Sequence, residues 1–250
     1  MNQKGFLIPS MLALGVAWAV PSWAEPKVSD PAHSVGLSAT HNQYKFESPD
    51  DSSKERVNQG GVFYNWGNKL TGEQGFIYQI GGEAQYGEKG DTEVKSARIE
   101  LDVGARAALS ANNYVDVVVG VGYDWDRYEY DGYRVLGAKE RLYVDSKTPQ
   151  AKAAVGYNYL NRNVTARLEA GARYSIDGRT KLEFAGFDER VDMKDKANPY
   201  AELTVLWNKG IYNRPVTTAL YYEQTRHELK GGADSKLKQE EVGLKVGLQF

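Results

Sequence analysis

The last ten residues of the chain alternate strictly between apolar positions and polar or small ones. The apolar face comprises Val242, Leu244, Val246, Leu248 and Phe250, and the opposite face carries only Glu, Gly, Lys and Gln. A period of two predicts a β-strand whose two faces meet different surroundings. The same alternation recurs at 98–107, 115–125 and 164–174, and in weaker form at 34–46, 58–68, 75–86, 150–159, 198–207 and 214–223.

These ten segments are close to the length of about 9–11 residues that a tilted strand needs to cross a bilayer. The connectors between them alternate in length: short polar ones lie near 69–73, 110–113, 160–163 and 208–211, and longer ones near 47–56, 87–93, 126–149, 175–197 and 224–239. This is the layout of a transmembrane β-barrel with periplasmic turns and extracellular loops. A soluble β-sandwich alternates in the same way. The Gly-rich polar faces and the aromatic residues at both ends of the segments favour the barrel. We therefore predict an all-β, antiparallel, up-and-down transmembrane barrel of about ten strands, with eight or twelve as alternatives.

The first 24 residues have the features of a secretory signal peptide. Lys4 supplies a positive start, an apolar stretch runs from Phe6 to Val20, and small residues stand at Ser22 and Ala24. This pattern predicts cleavage after Ala24 and an exported protein. The predicted organisation is a signal peptide at 1–24 followed by one barrel at 25–250.

The composition excludes several classes of site and partner. The chain has 250 residues, a net charge of -2 and no Cys, so disulfides, thiol catalysis and Cys-ligated metals are excluded. The near-neutral charge argues against a nucleic-acid partner. No run of about 18 apolar residues follows the N-terminus, which argues against a helical span. No pattern indicates a cofactor or a metal site.

The chain resembles Gram-negative outer-membrane β-barrel proteins over its whole length. Its last strand, which ends at Phe250, is similar to the C-terminal signal that the outer-membrane assembly machinery recognises. The resemblance implies an outer-membrane location, with membrane lipid and lipopolysaccharide as surroundings. It does not identify a subfamily. Outer-membrane proteases and adhesins share the strand count, and oligosaccharide-selective small porins are neighbours in size.

The alternation assigns many charged residues to the barrel interior. The principal ones are Arg98, Glu100, Asp102, Arg106, Asp116, Arg167, Glu169, Arg173, Glu202 and Lys245, and Glu83, Asp124, Lys152, Glu223 and Glu241 share their parity. One interpretation is a salt-bridged interior without a pore, since buried charges must pair. Neighbouring strands offer opposite charges for this, with Arg98 and Arg106 beside Asp116, and Arg167 and Arg173 beside Glu202. The other is a narrow hydrated pore in which arginines guide anionic solutes.

An enzyme at the outer rim of the barrel would need a side chain positioned to act as a general base. The weak candidate is His227, close in sequence to Glu223 and Glu228, while His33 and His41 are less suitably placed. The alternative interpretation is a solvated histidine at the base of a loop, and we favour it.

The segment 126–149 alternates aromatic and charged residues and predicts a hairpin that continues above the membrane. Tyr128, Tyr130, Tyr133, Arg134 and Tyr143 are its candidate binding residues. Tyr and Arg on a rigid projection suit recognition of a carbohydrate or host ligand, although cross-strand packing explains the same pattern. Basic loop residues could also contact lipopolysaccharide.

The sequence thus predicts a surface-binding or structural barrel. A small porin for polar or weakly anionic solutes, of the oligosaccharide-selective type, is the alternative hypothesis. An outer-membrane protease or lipid A hydrolase is a third and less favoured hypothesis.

Overall fold

A computed structural model of the protein describes residues 30–47, 52–72, 75–135, 138–184, 187–211, 214–228, 230 and 236–250. Side chains are not described at 46–47, 52–53, 132–135, 138–140, 184, 187 and 236. The predicted signal peptide at 1–24 lies outside the described residues. No helix among these residues is long and apolar enough to cross a membrane.

Twelve β-strands follow one another along the described chain. They are β1 Ala32–Glu47, β2 Ser52–Gly67, β3 Gly75–Lys89, β4 Thr92–Ser110, β5 Asn113–Val135, β6 Ala138–Leu160, β7 Val164–Ser175, β8 Arg179–Phe184, β9 Phe187–Asp192, β10 Ala197–Ile211, β11 Arg214–Glu228 and β12 Lys236–Gln249.

Ten of these strands close into one antiparallel barrel. Strands β1 to β7 and β10 to β12 pair in sequence, and β12 pairs back onto β1, with Val35 opposite Leu248. The prediction of a ten-stranded antiparallel barrel is therefore confirmed. Closure leaves no unpaired edge in the ring, which is what a sheet surrounded by lipid requires.

The barrel is apolar outside and polar inside, the reverse of a water-soluble fold. Outward side chains such as Leu37, Leu101, Val119 and Leu244 are about half exposed. Large aromatic side chains, among them Tyr157 at one end of the barrel, are also exposed. An apolar outer band with aromatic side chains at its ends is the surface that a barrel presents to the lipids of a bilayer.

The two ends of the barrel differ. Both described termini and the short turns lie at one end, here named the turn end. The other end is named the loop end, and there the strands continue well beyond the apolar band. Strands β5 and β6 each have 23 residues, about 75 Å of chain at about 3.3 Å per residue.

Two of the longer connectors expected at the loop end are shorter than the sequence suggested. The connector expected at 87–93 is a tight turn in which Gly90 has a φ of +61°. The connector expected at 47–56 is mostly paired strand, because β1 runs to Glu47 and β2 starts at Ser52. By contrast, 126–149 forms the expected projecting hairpin.

The region 175–197 adds a second hairpin. Strand β8 pairs with β6 above the end of β7, and β9 pairs only with β8 among the described strands. Strands β5, β6, β8 and β9, together with the loop-end part of β4, form a continuous sheet above the apolar band, here named the loop-end sheet.

The inside–outside assignment predicts different results for two neighbouring residues of β12. Leu244 is half exposed on the outer band, so Leu244→Arg places a charge in lipid, at a cost of roughly 2–4 kcal/mol if it lies near the midplane. Lys245 faces the lumen and contacts Glu83 at 2.6 Å, so Lys245→Gln should be tolerated better. Heat-modifiable gel migration of outer-membrane fractions measures folding. Normal folding of Leu244→Arg together with failure of Lys245→Gln would show that the assignment is inverted.

Candidate functional site

The middle of the lumen is filled by one continuous network of ion pairs. Its cations are Lys69, Arg98, Arg106, Lys152, Arg167 and Arg173, and its carboxylates are Glu100, Asp102, Asp116, Asp124, Glu169 and Glu223. The charges in the network are balanced, with six residues of each sign. Because an isolated buried charge is strongly unfavourable, this balance lets the interior hold so many ionised groups.

One bridge crosses the full width of the barrel. Arg98 on β4 donates to Glu223 on β11 at 2.7 Å, and these strands lie five apart around the ten-strand ring. Arg98 also binds Asp124 on β5 with two hydrogen bonds of 2.7 and 2.8 Å. Arg173 reinforces the crossing by contacting Glu223 and Glu100, both at 2.9 Å. The lumen is thus tied across its diameter at this level.

The deepest part of the network is centred on Asp116. Its carboxylate accepts hydrogen bonds from Arg106 and Arg167 and is completely buried. Arg106 and Asp116 occupy directly opposed positions of β4 and β5. A side chain at Gly156 would collide with the Arg167 guanidinium, since an added Cβ would lie 2.6 Å from it. Glycine on the polar face of β6 therefore makes room for an arginine of β7.

The turn between β2 and β3 folds into the turn end of the lumen. The Lys69 ammonium contacts Asp102 at 2.5 Å and Glu169 at 2.9 Å. Arg106 donates to the backbone carbonyls of Lys69 and Gly72. The sequence predicted only a short polar connector at 69–73, and Lys69 was not among the candidate lumen residues. Strand parity does not predict the direction of a side chain in a turn. The excess of carboxylates over cations among the predicted lumen residues was the one sequence signal for an additional cation in the lumen.

The pairing of Arg167 or Arg173 with Glu202 that the alternation suggested is absent among the described contacts. The β7–β10 register places Glu202 opposite Glu169, and Glu202 accepts a hydrogen bond from Thr204 instead. The phenol of Tyr200, which sequence reasoning did not single out, donates to Glu169 at 2.7 Å. Its ring also lies under the Arg173 guanidinium at 4.1 Å.

An apolar cluster closes part of the lumen at the loop end. It consists of Tyr44, Val57, Val94, Tyr128 and Leu237 and is here named the apolar cap. The rings of Tyr44 on β1 and Tyr128 on β5 lie 5.9 Å apart, which brings strands from separate parts of the ring into contact. The structure therefore places Tyr128 in packing rather than on the outer face, with its hydroxyl donating to Glu55 at 2.9 Å.

Little free space remains between these layers. A cavity of about 100 Å³ lies toward the turn end, between Lys69, Glu83 and Tyr200, and two cavities of about 40 Å³ lie nearer the loop end. A water molecule needs about 10–15 Å³ of such volume. These cavities can hold a few waters each, but none has the size of a sugar.

His227 lies opposite Leu237 of the apolar cap and lines the cavity beside the cap, together with Asp126. A wider recess of about 430 Å³ lies farther out at the loop end, between Glu55, Lys89 and Thr92. Burial lowers the pKa of His227, opposed by the charge of Asp124. Burial, with repulsion from Asp124, raises the pKa of Asp126 to about 8. No hydrogen bond joins His227 to a carboxylate in the described part of the chain. Glu223 is held by Arg98 and Arg173, so the structure does not bring this pair of candidates into contact.

The other predicted binding residues lie on the projecting hairpin. Tyr143 faces outward and its ring contacts the Arg127 guanidinium at 4.9 Å. Tyr130 is half-buried. The backbones of Tyr133 and Arg134 pair with Glu140 and Lys139, but their side chains lie outside the described part. Near the tip, Arg141 donates to Asp131 at 2.6 Å, and this contact raises the pKa of the guanidinium.

The described residues include no group of three or more His, Asp or Glu side chains arranged to hold a metal ion. Phe250 lies half exposed at the turn end, and its backbone exchanges two hydrogen bonds with His33. This contact joins the end of the chain to the start of β1.

The network predicts that two interior carboxylates differ in their contribution to the free energy of unfolding. Asp116→Asn leaves two buried guanidinium groups without their shared anion and should lower the free energy of unfolding by about 3–5 kcal/mol. Glu202→Gln is the matched control, because no described cation contacts Glu202. Urea unfolding in lipid vesicles, followed by tryptophan fluorescence, measures both. Equal losses in the two variants would contradict the pairing.

Comparison with known proteins agrees with this architecture. A family model described as "Outer membrane protein beta-barrel domain" matches residues 10–208. No match is found among curated protein sequences.

Among solved structures, the outer membrane protease OmpT of Escherichia coli is similar, with a TM-score of 0.59 and 8% identity, over 91% of this chain and 99% of that one. The translocator domain of the autotransporter NalP of Neisseria meningitidis has a TM-score of 0.40 and 13% identity, covering 87% and 88%. The attachment invasion locus protein Ail of Yersinia pestis has a TM-score of 0.31 and 12% identity, covering 89% and 100%.

At such identities the solved structures bear on the fold alone. The family model spans most of the chain, and the closed barrel with an apolar outer band is the architecture it describes. The chain belongs to the outer membrane protein β-barrel domain family and lies in the outer membrane of a Gram-negative bacterium.

Proposed function

We propose that this protein is a closed barrel that acts through its loop-end surface, as a binding or structural protein of the cell surface, and not as a pore. The observation that carries the proposal is the Arg98–Glu223 bridge of 2.7 Å across the lumen. Solutes would have to break this contact and its neighbours in order to pass.

Two further layers support a closed lumen. The apolar cap lies at the loop end, and the inserted turn with Lys69 lies at the turn end. Barrels of about eight strands have interiors filled by side chains, whereas aqueous channels belong to barrels of about 16–18 strands. A barrel of ten strands is close in size to the barrels whose interiors are filled by side chains.

A barrel without a passage presents its specific surface above the membrane. The loop-end sheet is a rigid paired structure rather than a set of irregular loops. The β5–β6 hairpin carries Tyr130, Tyr133 and Arg134 to its tip, and these residue types dominate binding surfaces. A carbohydrate or another host-surface ligand fits this composition.

The first test is conductance in planar lipid bilayers. The wild-type protein should give no discrete steps. The variant Arg98→Ser/Arg173→Ser/Glu223→Ser removes the side chains that cross the lumen. Combined with Tyr44→Ala/Tyr128→Ala in the apolar cap and Lys69→Ala in the inserted turn, it should give steps, which shows that the assay detects an opened barrel. Discrete steps from the wild-type protein, with altered ion selectivity in Arg167→Glu, would instead establish a small pore for polar or weakly anionic solutes.

The second test removes the tip of the hairpin. Because Tyr130 pairs with Leu142, replacing 131–141 by Asn-Gly should close a two-residue turn and keep the apolar cap. Binding of the cells that present the protein to glycan arrays or host cells should fall to background. The matched control shortens the other hairpin, with Asn-Gly in place of 183–188, since Leu182 pairs with Glu189. Unchanged binding by the first variant would refute recognition through the β5–β6 tip.

A further inference from the structure

Strand β2 extends farther at the loop end than its neighbour β3. It pairs with β1 over its whole length, but with β3 only from Gly60 onward. Gly60 lies opposite Tyr86, and three residues farther toward the loop end the same register places Val57 level with Lys89, where β3 ends. Residues 52–56 of β2 therefore lie above the turn between β3 and β4, and no described strand pairs with the edge that they present there.

Strand β5 extends above the same turn on its other side. Its last pair with β4 joins Tyr130 to Thr92, and the amide of Asp131 donates to the carbonyl of Asp91 at 2.8 Å. Strand β5 continues to Val135. Because β3 and β4 both end between β2 and β5, the wall has a gap there, here named the notch. Neighbouring strands lie about 4.8 Å apart, so three such spacings make the notch about 14 Å wide along the wall.

The β2 edge of the notch is held in place by the strands behind it. Strand β2 pairs with β1, β1 with β12 and β12 with β11 up to their loop ends, at Ser52, Glu47, Lys236 and Glu228. The edge is therefore the border of a four-stranded sheet. A strand that added to it would find its backbone partners already ordered, which lowers the entropic cost of binding.

The recess of about 430 Å³ at the loop end occupies the notch. It is lined by Lys54, Glu55, Arg56, Lys89 and Thr92. Successive side chains of a strand point to opposite faces, so a recess lined by three consecutive residues of β2 runs along the edge of the strand and not over one face. Its volume lies within the range of about 300–1,000 Å³ that is usual for ligand sites.

The recess is basic. Lys54, Arg56 and Lys89 are exposed, and no ion pair of the described residues includes any of them. Arg56 donates to the Gln43 side chain at 3.3 Å, which leaves its charge uncompensated. With the carboxylate of Glu55, three cations and one anion give the recess a net charge of +2. An occupant that is complementary to this recess is acidic.

The inner side of the notch has a different character. Glu55 lies opposite Tyr44 of the apolar cap. Its carboxylate accepts hydrogen bonds from Thr92 at 3.0 Å and from Tyr128 at 2.9 Å. A strand placed beside β2 would thus direct alternate side chains outward, beside Lys54 and Arg56, and inward, beside Glu55 and the cap. Acidic residues fit the outward positions, and hydroxyl or apolar residues fit the inward ones.

We propose that the notch binds an extended acidic segment of another protein, which pairs with the free edge of β2 and continues the sheet. In this mode of recognition the main-chain hydrogen bonds supply affinity and the alternate side chains supply specificity. Lysine on a sheet edge discourages unselective pairing, so the cations reject basic strands while they attract acidic ones. This site goes beyond the proposed surface function, because it uses β2 and not the β5–β6 tip, and its ligand is a polypeptide.

The first experiment uses a fluorescent peptide of eight alternating Glu and Thr residues. Its binding to the full-length barrel in detergent micelles is measured by fluorescence anisotropy. Two analogues carry N-methyl groups, one on the Glu amides and one on the Thr amides. Since amides of alternate residues point to opposite edges of a strand, one analogue should bind about tenfold more weakly or worse, and the other should bind as the parent does. A peptide with Lys in place of Glu should not bind.

The second experiment changes the protein. Lys54→Glu/Arg56→Glu/Lys89→Glu should weaken binding about tenfold or more, because single exposed ion pairs contribute little but three are reversed. The matched control makes the same change in charge on strands β6, β8 and β9, as Lys147→Glu/Arg179→Glu/Arg190→Glu at exposed positions, and should bind as wild type does.

A third variant covers the edge and keeps the cations. Four Thr residues are added to each of β3 and β4 on either side of the turn at Gly90, so that the longer hairpin pairs with 52–56. This variant should also lose peptide binding. Heat-modifiable gel migration shows that each variant folds.

Four results would overturn the proposal. These are no binding of the acidic peptide to wild type, equal binding of the two methylated analogues, unchanged binding in the folded long-hairpin variant, and an equal loss in the charge control. The replacement of 131–141 leaves β2 and its cations in place and should retain peptide binding. Failure of recognition through the β5–β6 tip and failure of this edge site therefore give distinguishable results.

Discussion

The need to pair the ionised groups of the central network inside a narrow barrel governs the structure of the lumen. Ten strands enclose little more than the volume of their own side chains, and this interior carries charged residues on most of its strands. Breaking one buried pair costs about 3–5 kcal/mol because the remaining partner stays ionised and desolvated. Arg98, Arg173 and Glu223 satisfy this requirement by reaching across the barrel, so charge neutralisation and closure of the lumen result from the same contacts.

The alternation of the sequence was sufficient to predict the barrel and to sort its faces. Period-two segments need only local information, since successive side chains of a strand point to opposite sides. The structure accordingly places residues such as Asp116 and Arg167 inside, and Leu244 outside. The aromatic residues at the segment ends carried the remaining information, because they mark where lipid gives way to water.

The partners of these residues could not be predicted in the same way. Which charges meet depends on strand register and on the position of each strand around the ring, and neither follows from parity. Glu202 illustrates the problem, since the register places it opposite Glu169 rather than an arginine. Lys69 illustrates a second one, because a turn can fold inward. Tyr128 shows a third, since an aromatic residue of a projecting hairpin packs on the inner face.

The chemistry of the lumen changes from end to end, and this bears on how the barrel stays closed. The apolar cap excludes water at the loop end by packing, the central network holds by charge, and the inserted turn is fixed by hydrogen bonds from Arg106 to its backbone. Each layer responds to a different perturbation, since salt and pH weaken ion pairs but leave apolar packing largely intact. A change in conditions that loosened one layer would leave the other two in place. Specific interactions with the surroundings therefore fall to the outer faces of the loop-end sheet, where side chains such as Lys147 and Arg179 are exposed.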